Sequence, residues 1–220
     1  VREGYVDTDT IEPEGPFGDW TGTYTEKGRV NPVVHVDAVY YRNDPILLGF
    51  VPQNLPDEFS RYCAVTRSAT VRRDILAAGV PDVHQVWCHE VGGARFLIGV
   101  SITQRYAGHA QQAGHLASMS RSANGGNRWV IVTDDDIDVW NLEEVIWAAL
   151  TRSDPGTSID LVRGALGARP DPRLLPENRP TGAITNSRLI IDHCRPHPLR
   201  AHFPQAPHTR PHAAARARDK

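Results

Sequence analysis

A chain of 220 residues with 24 basic and 26 acidic side chains is long enough for a buried core, and its formal net charge of −2 gives no case for nucleic acid or membrane as a partner. Three cysteines, Cys63, Cys88 and Cys194, are odd in number and far apart, which fits reduced thiols and argues against a disulfide framework or a structural zinc site. No charged leader with an apolar stretch and no membrane-length apolar run occurs, so the expected setting is a soluble cytoplasmic protein.

The chain starts at Val1, and its only methionine is Met119. Either it is a fragment of a longer protein or its start is a non-ATG codon. Charge is unevenly placed. From His193 to Lys220 six basic residues face one acid, Asp219, so the body is acidic and the tail basic.

Residues 12–22, Glu-Pro-Glu-Gly-Pro-Phe-Gly-Asp-Trp-Thr-Gly, carry the densest chemistry. Gly15 and Gly18 reach backbone angles barred to other residues and Pro16 locks its own, so Glu14 and Asp19 stand on a stiff turn. On the rim of a pocket, such a pair suits a proton donor beside a charge stabiliser. The plainer reading is a turn that collects acids for solubility. Residues 33–42 alternate loosely and are rich in β-branched and aromatic types, which predicts a strand, and residues 46–50 predict a second short one. Asp57 can cap a helix running to about Ala78, with Gly79 in the stop position and Pro81 beyond. A domain boundary is expected there.

Beyond it the pattern predicts strands at 83–89 and 94–102, a helix at about 107–121, a strand at 128–133 and a helix at 141–151. Asn141 and Glu144 have the logic of a capping box. Prolines at 170, 172, 176 and 180 predict an irregular segment before a short strand from Arg188 to Ile191. From Pro196 onward too few apolar residues remain to bury, so the tail is expected to move freely or to lie on another subunit. Strands separated by helices imply an α/β layer with a largely covered sheet. The run Asp134-Asp135-Asp136-Ile137-Asp138 admits a divalent-metal reading, but its place between strand and helix favours capping and solvation. His109 reads as a capping or packing residue at a helix start. His193, His197, His202, His208 and His212 are irregularly spaced among prolines, which favours a solvated tail over a metal tract.

Taken in order, EGPFGDWTGTY, RVNPVVHVDAVYYRNDPIL, QRYAGHA, VIVTDDDIDVWNLEEVIWAALTRSDP and SRLIID resemble the second half of the UbiD family of decarboxylases, from about Gly4 to about Pro204. The resemblance implies an α/β (α+β) fold: residues 1–55 as the C-terminal part of a flavin-reductase-like split β-barrel that binds prenylated FMN, 57–195 as an α/β domain that joins subunits into a homo-oligomer, and 196–220 as a basic Pro/His-rich tail. It implies a reversible, non-oxidative carboxy-lyase acting on an aromatic or α,β-unsaturated acid. The SRLIID ending followed by Arg-Pro resembles members that act on hydroxybenzoates. Loss of CO2 from such an acid leaves a carbanion that needs an electron sink, which a cofactor must supply.

By the same resemblance Glu14 is the proton-donating acid and Asp19 the carboxylate that tunes and orients the network. Arg188 falls where the family places a cation near the cofactor phosphate, with a strand-edge pairing to Asp192 as the alternative. Trp20, Tyr62 and Cys63 fall where relatives border the substrate, or serve as core packing. The family also implies Mn2+ and K+, and a prenyl-FMN synthase as supplier of the cofactor. The linking arginine and the Asn, His and Glu that hold metal and flavin phosphate have no counterparts in this chain, so it carries part of an active site and no metal ligand of its own. A non-catalytic assembly subunit or pseudoenzyme fragment of the same family is the rival expectation, and an unrelated flavin-reductase-like barrel a third.

Overall fold

The computed structural model describes residues 1–24, 29–51, 54–123, 125–175, 177, 182 and 184–204. His208 and His212, and most of the tail, lie outside the described residues.

Two strands open the chain. β1, Arg2–Glu14, pairs antiparallel with β2, Arg29–Val39, in a register that sets Tyr5 opposite His35 and Glu14 opposite Arg29. The register shifts between Asp7 and Ile11, where the Asp7 carboxylate accepts the backbone N–H groups of Asp9 and Thr10 at 2.9 and 3.2 Å. The Tyr5 and His35 rings stack with centroids 4.9 Å apart. Tyr5, Val6, Ile11, Val34 and Val36 are all exposed, so neither face of this two-stranded sheet is covered. Such a ribbon has no buried side of its own from which to draw stability.

The stretch 46–50, expected as a strand, forms none. Its apolar residues are exposed, and Asp44 just before them takes a left-handed φ of 53°. A strand needs a pairing partner, and this one has none among the described residues. Phe50 instead stacks on Phe59, centroids 4.3 Å apart, and so ties the connection to the first helix.

That helix, α1, spans Glu58–Ala77. Asp57 caps it: its carboxylate accepts the Ser60 N–H at 2.7 Å, and the Ser60 hydroxyl accepts the Asp57 N–H at 2.9 Å. Ala64, Ser68, Val71 and Ile75 recur every three or four residues and form its buried stripe. Gly79, at φ +89°, ends it.

The remaining elements are β3, Val83–Cys88; a 3-10 turn, Glu90–Gly92; β4, Leu97–Ile102; α2, His109–Met119; β5, Trp129–Asp134; α3, Leu142–Arg152; β6, Ile159–Leu166; and β7, Thr185–Asp192. They build a five-stranded sheet of order β3-β4-β5-β7-β6, parallel at β4-β5 and β5-β7 and antiparallel at both edges. Ile98, Val100, Ile102, Val130, Val132 and Ile190 are buried in its middle, where near-continuous β-branched runs suit a sheet covered on both faces. Helix α2 sits so close to it that a Cβ on Gly114 would collide with Ile190 and press on Val132.

Two strands were not expected from sequence, β1 and β6. The strand expected at 94–102 begins only at Leu97, because residues 93–96 turn the chain after the 3-10 segment, with Ala94 at φ 55°. The aspartate run becomes an ion-pair network. Asp136 takes both guanidinium nitrogens of Arg152, at 2.8 and 2.7 Å. Asp134 accepts from Gln104, Arg152 and Arg195. His109 is fully buried: its Nδ1 accepts the Arg105 N–H, and its Nε2 bonds the Pro81 carbonyl at 3.1 Å.

Candidate functional site at the turn between the sheets

The site grows from the end of β1. Glu14, the last residue of that strand, is exposed and accepts a hydrogen bond from the Asn31 side-chain amide on the neighbouring strand. Gly15, at φ +88°, turns the chain away from the hairpin. A tight turn follows. The Asp19 N–H donates to the Thr23 carbonyl at 3.1 Å, the Gly22 N–H donates to the Asp19 carbonyl at 2.9 Å, and the Asp19 carboxylate accepts the Trp20 N–H at 2.7 Å.

This turn docks on the five-stranded unit. The Trp20 ring packs on Phe96 at 5.0 Å with the planes tilted by 50°. Gly93, at φ +63°, admits it, since a side chain there would strike the Trp20 carbonyl and ring. The guanidinium carbon of Arg95 lies 4.6 Å from the Trp20 ring centroid, and that of Arg128 lies 5.1 Å from Phe96. Arg128 also pairs with Asp171. Burial pulls the Arg95 pKa down to about 10; the charge of Arg67 adds to the fall, and Cys63 and Asp19 oppose it. Cys63 and Arg67, one turn apart on α1, therefore stand near the same point, with Arg67 Nη1 donating to the Ser122 carbonyl at 3.3 Å.

Of the residues singled out from sequence, Asp19, Trp20 and Cys63 converge on this corner. Glu14 lies at the other end of the same loop, on the hairpin. Tyr62 adjoins Cys63 in sequence but is exposed. Arg188 is elsewhere: it is fully buried in the second sheet, with its guanidinium donating to the carbonyls of Ser118 and Leu166. Nor does it serve as a strand-edge partner of Asp192, whose carboxylate accepts from Gln111 and from the Cys194 N–H. The Arg188 guanidinium is committed to these interior carbonyls. Arg95, Phe96 and Arg67 are the residues sequence reasoning missed. The signal was Gly-Gly-Ala-Arg-Phe, a flexible turn that presents a cation and a ring together.

An open groove of about 1100 Å³ is lined by Gly49, Phe50 and Val51 and by Asp57, Arg61 and Glu90. Glu90 accepts from Arg61 and from the Trp87 indole N–H at 3.0 Å. Burial alone would raise its pKa, but the Arg61 hydrogen bond leads the contributions that turn the net direction downward. Among the described residues no group of three or more His, Cys, Asp or Glu could hold a metal ion, so Mn2+ finds no fit here. No helix among the described residues is long and apolar enough to cross a membrane.

The mixed α/β architecture, a five-stranded sheet with three helices, is the architecture of the UbiD-class enzymes. Residues 61–193 match the family model described as 3-octaprenyl-4-hydroxybenzoate carboxy-lyase C-terminal domain, and residues 1–55 match the Rift-related domain of the same carboxy-lyase. The chain belongs to the UbiD family.

An uncharacterised protein of Aeropyrum pernix is 32% identical over 165 residues, covering 74% of this chain and 33% of that protein. Among solved structures, the UbiD-class enzyme HmfF from Pelotomaculum thermopropionicum in complex with FMN is similar with a TM-score of 0.80 and 27% identity, over 94% of this chain and 44% of HmfF. The apo 3,4-dihydroxybenzoic acid decarboxylase AroY of Klebsiella pneumoniae is similar with a TM-score of 0.79 and 25% identity, over 99% of this chain and 46% of AroY. The chain thus spans less than half of these solved relatives and about a third of the curated one.

Proposed function

We propose that this chain is the C-terminal part of a prenylated-FMN-dependent carboxy-lyase that removes or adds carboxylate on an aromatic acid, with a hydroxybenzoate as the favoured substrate class. The observation that carries the reading is the loop from Glu14 to Trp20, which leaves the hairpin with one acid and arrives at the second sheet with another. FMN in the HmfF structure and the dihydroxybenzoate named for AroY support the cofactor and substrate classes.

In this reading residues 1–55 close the flavin-binding barrel, residues 57–195 assemble the homo-oligomer and residues 196–220 form the tail. Mn2+ and K+ are held by residues outside this chain, and a prenyl-FMN synthase supplies the cofactor in the cytoplasm. Glu14 gives its proton to the carbon that CO2 has left, and the Asn31 amide orients the carboxyl that gives it. Asp19, fixed by its bonds to the turn, holds the charge that tunes this transfer.

The test co-expresses the chain with the coding region upstream of it and a prenyl-FMN synthase, then reads flavin absorbance and CO2 release from a panel of aromatic acids. Glu14→Gln is expected to keep the absorbance and abolish turnover. Unchanged turnover would remove Glu14 from the chemistry, and loss of turnover in Asp19→Asn alone would exchange the two roles. A second reading, a non-catalytic assembly subunit, draws on the burial of Arg188 and the missing metal cluster among the described residues; it expects neither absorbance nor CO2.

A further inference from the structure

Arg95 presents five N–H donors at the corner where the turn meets the second sheet, half-buried, with one face covered by the Trp20 indole at 4.6 Å. Its guanidinium makes no hydrogen bond and no close ion pair to any described residue. Its nitrogens are not buried from solvent and stand open to an incoming acceptor. Its electrostatic neighbours are a second cation, Arg67, and one carboxylate, Asp19, with the Cys63 thiol beside them. Asp19 already spends its Oδ1 on the Trp20 N–H. Among the described residues the corner therefore carries three guanidinium groups, Arg95, Arg67 and the Asp171-paired Arg128, against the carboxylates of Asp19 and Asp171, with two aromatic rings, Trp20 and Phe96, as its floor.

We propose that Arg95, backed by Arg67, is a receptor for the carboxylate of a planar organic acid, which it grips by its fork while the Trp20 ring holds the guanidinium plane in place. A planar two-oxygen acceptor matches the edge of an arginine whose face is already stacked. Arg67 keeps its bond to Ser122 and supplies charge from behind. The aromatic character of the acid rests on the carboxy-lyase reading; the carboxylate preference rests on the corner itself.

The test titrates the full 220-residue chain, without flavin, with benzoate, benzamide and inorganic phosphate, and follows the Arg95 Nε–H resonance in a protein labelled with 15N-arginine. Benzoate is expected to shift that resonance saturably and benzamide to bind at least tenfold more weakly. Arg95→Gln should weaken benzoate binding at least tenfold by calorimetry. Arg95→Lys, which keeps the charge and the packing stem, should fall between the two and guards against a folding defect. No saturable shift, equal binding of benzamide, or unchanged affinity in Arg95→Gln overturns the proposal. Tighter binding of phosphate than of benzoate overturns the carboxylate assignment. Because the titration reads no turnover, a failed decarboxylation assay leaves its result intact, and its own failure leaves the roles of Glu14 and Asp19 untouched.

Discussion

Asp134 accepts two hydrogen bonds from Arg195, 61 positions further on, one from the backbone N–H at 2.7 Å and one from Nε at 2.9 Å. With Gln104 at 2.7 Å on its other oxygen, this carboxylate, 2% exposed, binds the end of β5 to the chain that leaves β7. Removing it takes one of two carboxylates from Arg152 and Arg195, which both keep Asp136, and leaves the Gln104 amide and the Arg195 N–H without this acceptor. Asp134→Ala is expected to lower stability by about 1–3 kcal/mol, the usual cost of leaving buried donors without their acceptor. Urea unfolding measures it, with Arg195→Ala expected to cost less because that side chain is partly exposed.

Stability should fall as the solution is acidified from neutral. Burial lowers the His193 pKa from 6.5 to about 4, so the folded protein resists a proton that the unfolded chain accepts. Its contribution is whole above pH 6.5 and drains away as pH falls toward 4, at most about 3 kcal/mol. Asp136 follows at lower pH. Burial would raise its carboxyl, but the hydrogen bonds and charge of Arg152 outweigh that and the net direction is down from 3.8, so its contribution is lost only below that value. Urea midpoints at pH 7 and pH 4.5 should differ, and His193→Gln should flatten most of the difference.

Alkylation should single out one thiol. Burial pushes Cys88 up to about 11, against the opposing hydrogen bond from Ser68, and pushes Cys194 well above its ordinary value. Cys63 alone is only half-buried. Iodoacetamide at pH 8 is expected to label Cys63 in the folded protein and all three cysteines in urea, as read by peptide mass mapping.

Gly114 is a packing residue. A side chain there would meet Ile190 and Val132, both buried and β-branched, so neither can swing aside. Gly114→Val is expected to destabilise by about 1–3 kcal/mol through overpacking, measured by thermal melting.

The sequence announced the second sheet better than the first. Runs such as Trp129-Val-Ile-Val-Thr and the punctuation by Asp57, Gly79 and Asn141 act locally, so β5, α1 and α3 were readable from neighbours in the chain. β1 was not. Arg-Glu-Gly-Tyr-Val-Asp-Thr-Asp-Thr is polar and charged, and it is a strand only because β2 pairs with it. The converse holds for Ile46 to Phe50, apolar enough to suggest a strand but left without a ladder. β6 hid behind a glycine at position 164 and the prolines that follow it. At the site, the stiff turn carrying Glu14 and Asp19 was legible from its own residues. The corner of Arg95, Arg67 and Trp20 was not, because three distant segments meet there and none shows a period or motif that points to the others.

The uncovered hairpin gives the molecule two speeds. In deuterium oxide, amides of β4, β5 and β7 should keep their protons until the whole sheet unfolds, whereas those of β1 and β2 should exchange through local opening at far lower cost. Trp20 marks the frontier between the two regimes, since its ring belongs to the slow side and its chain leads back to the fast one.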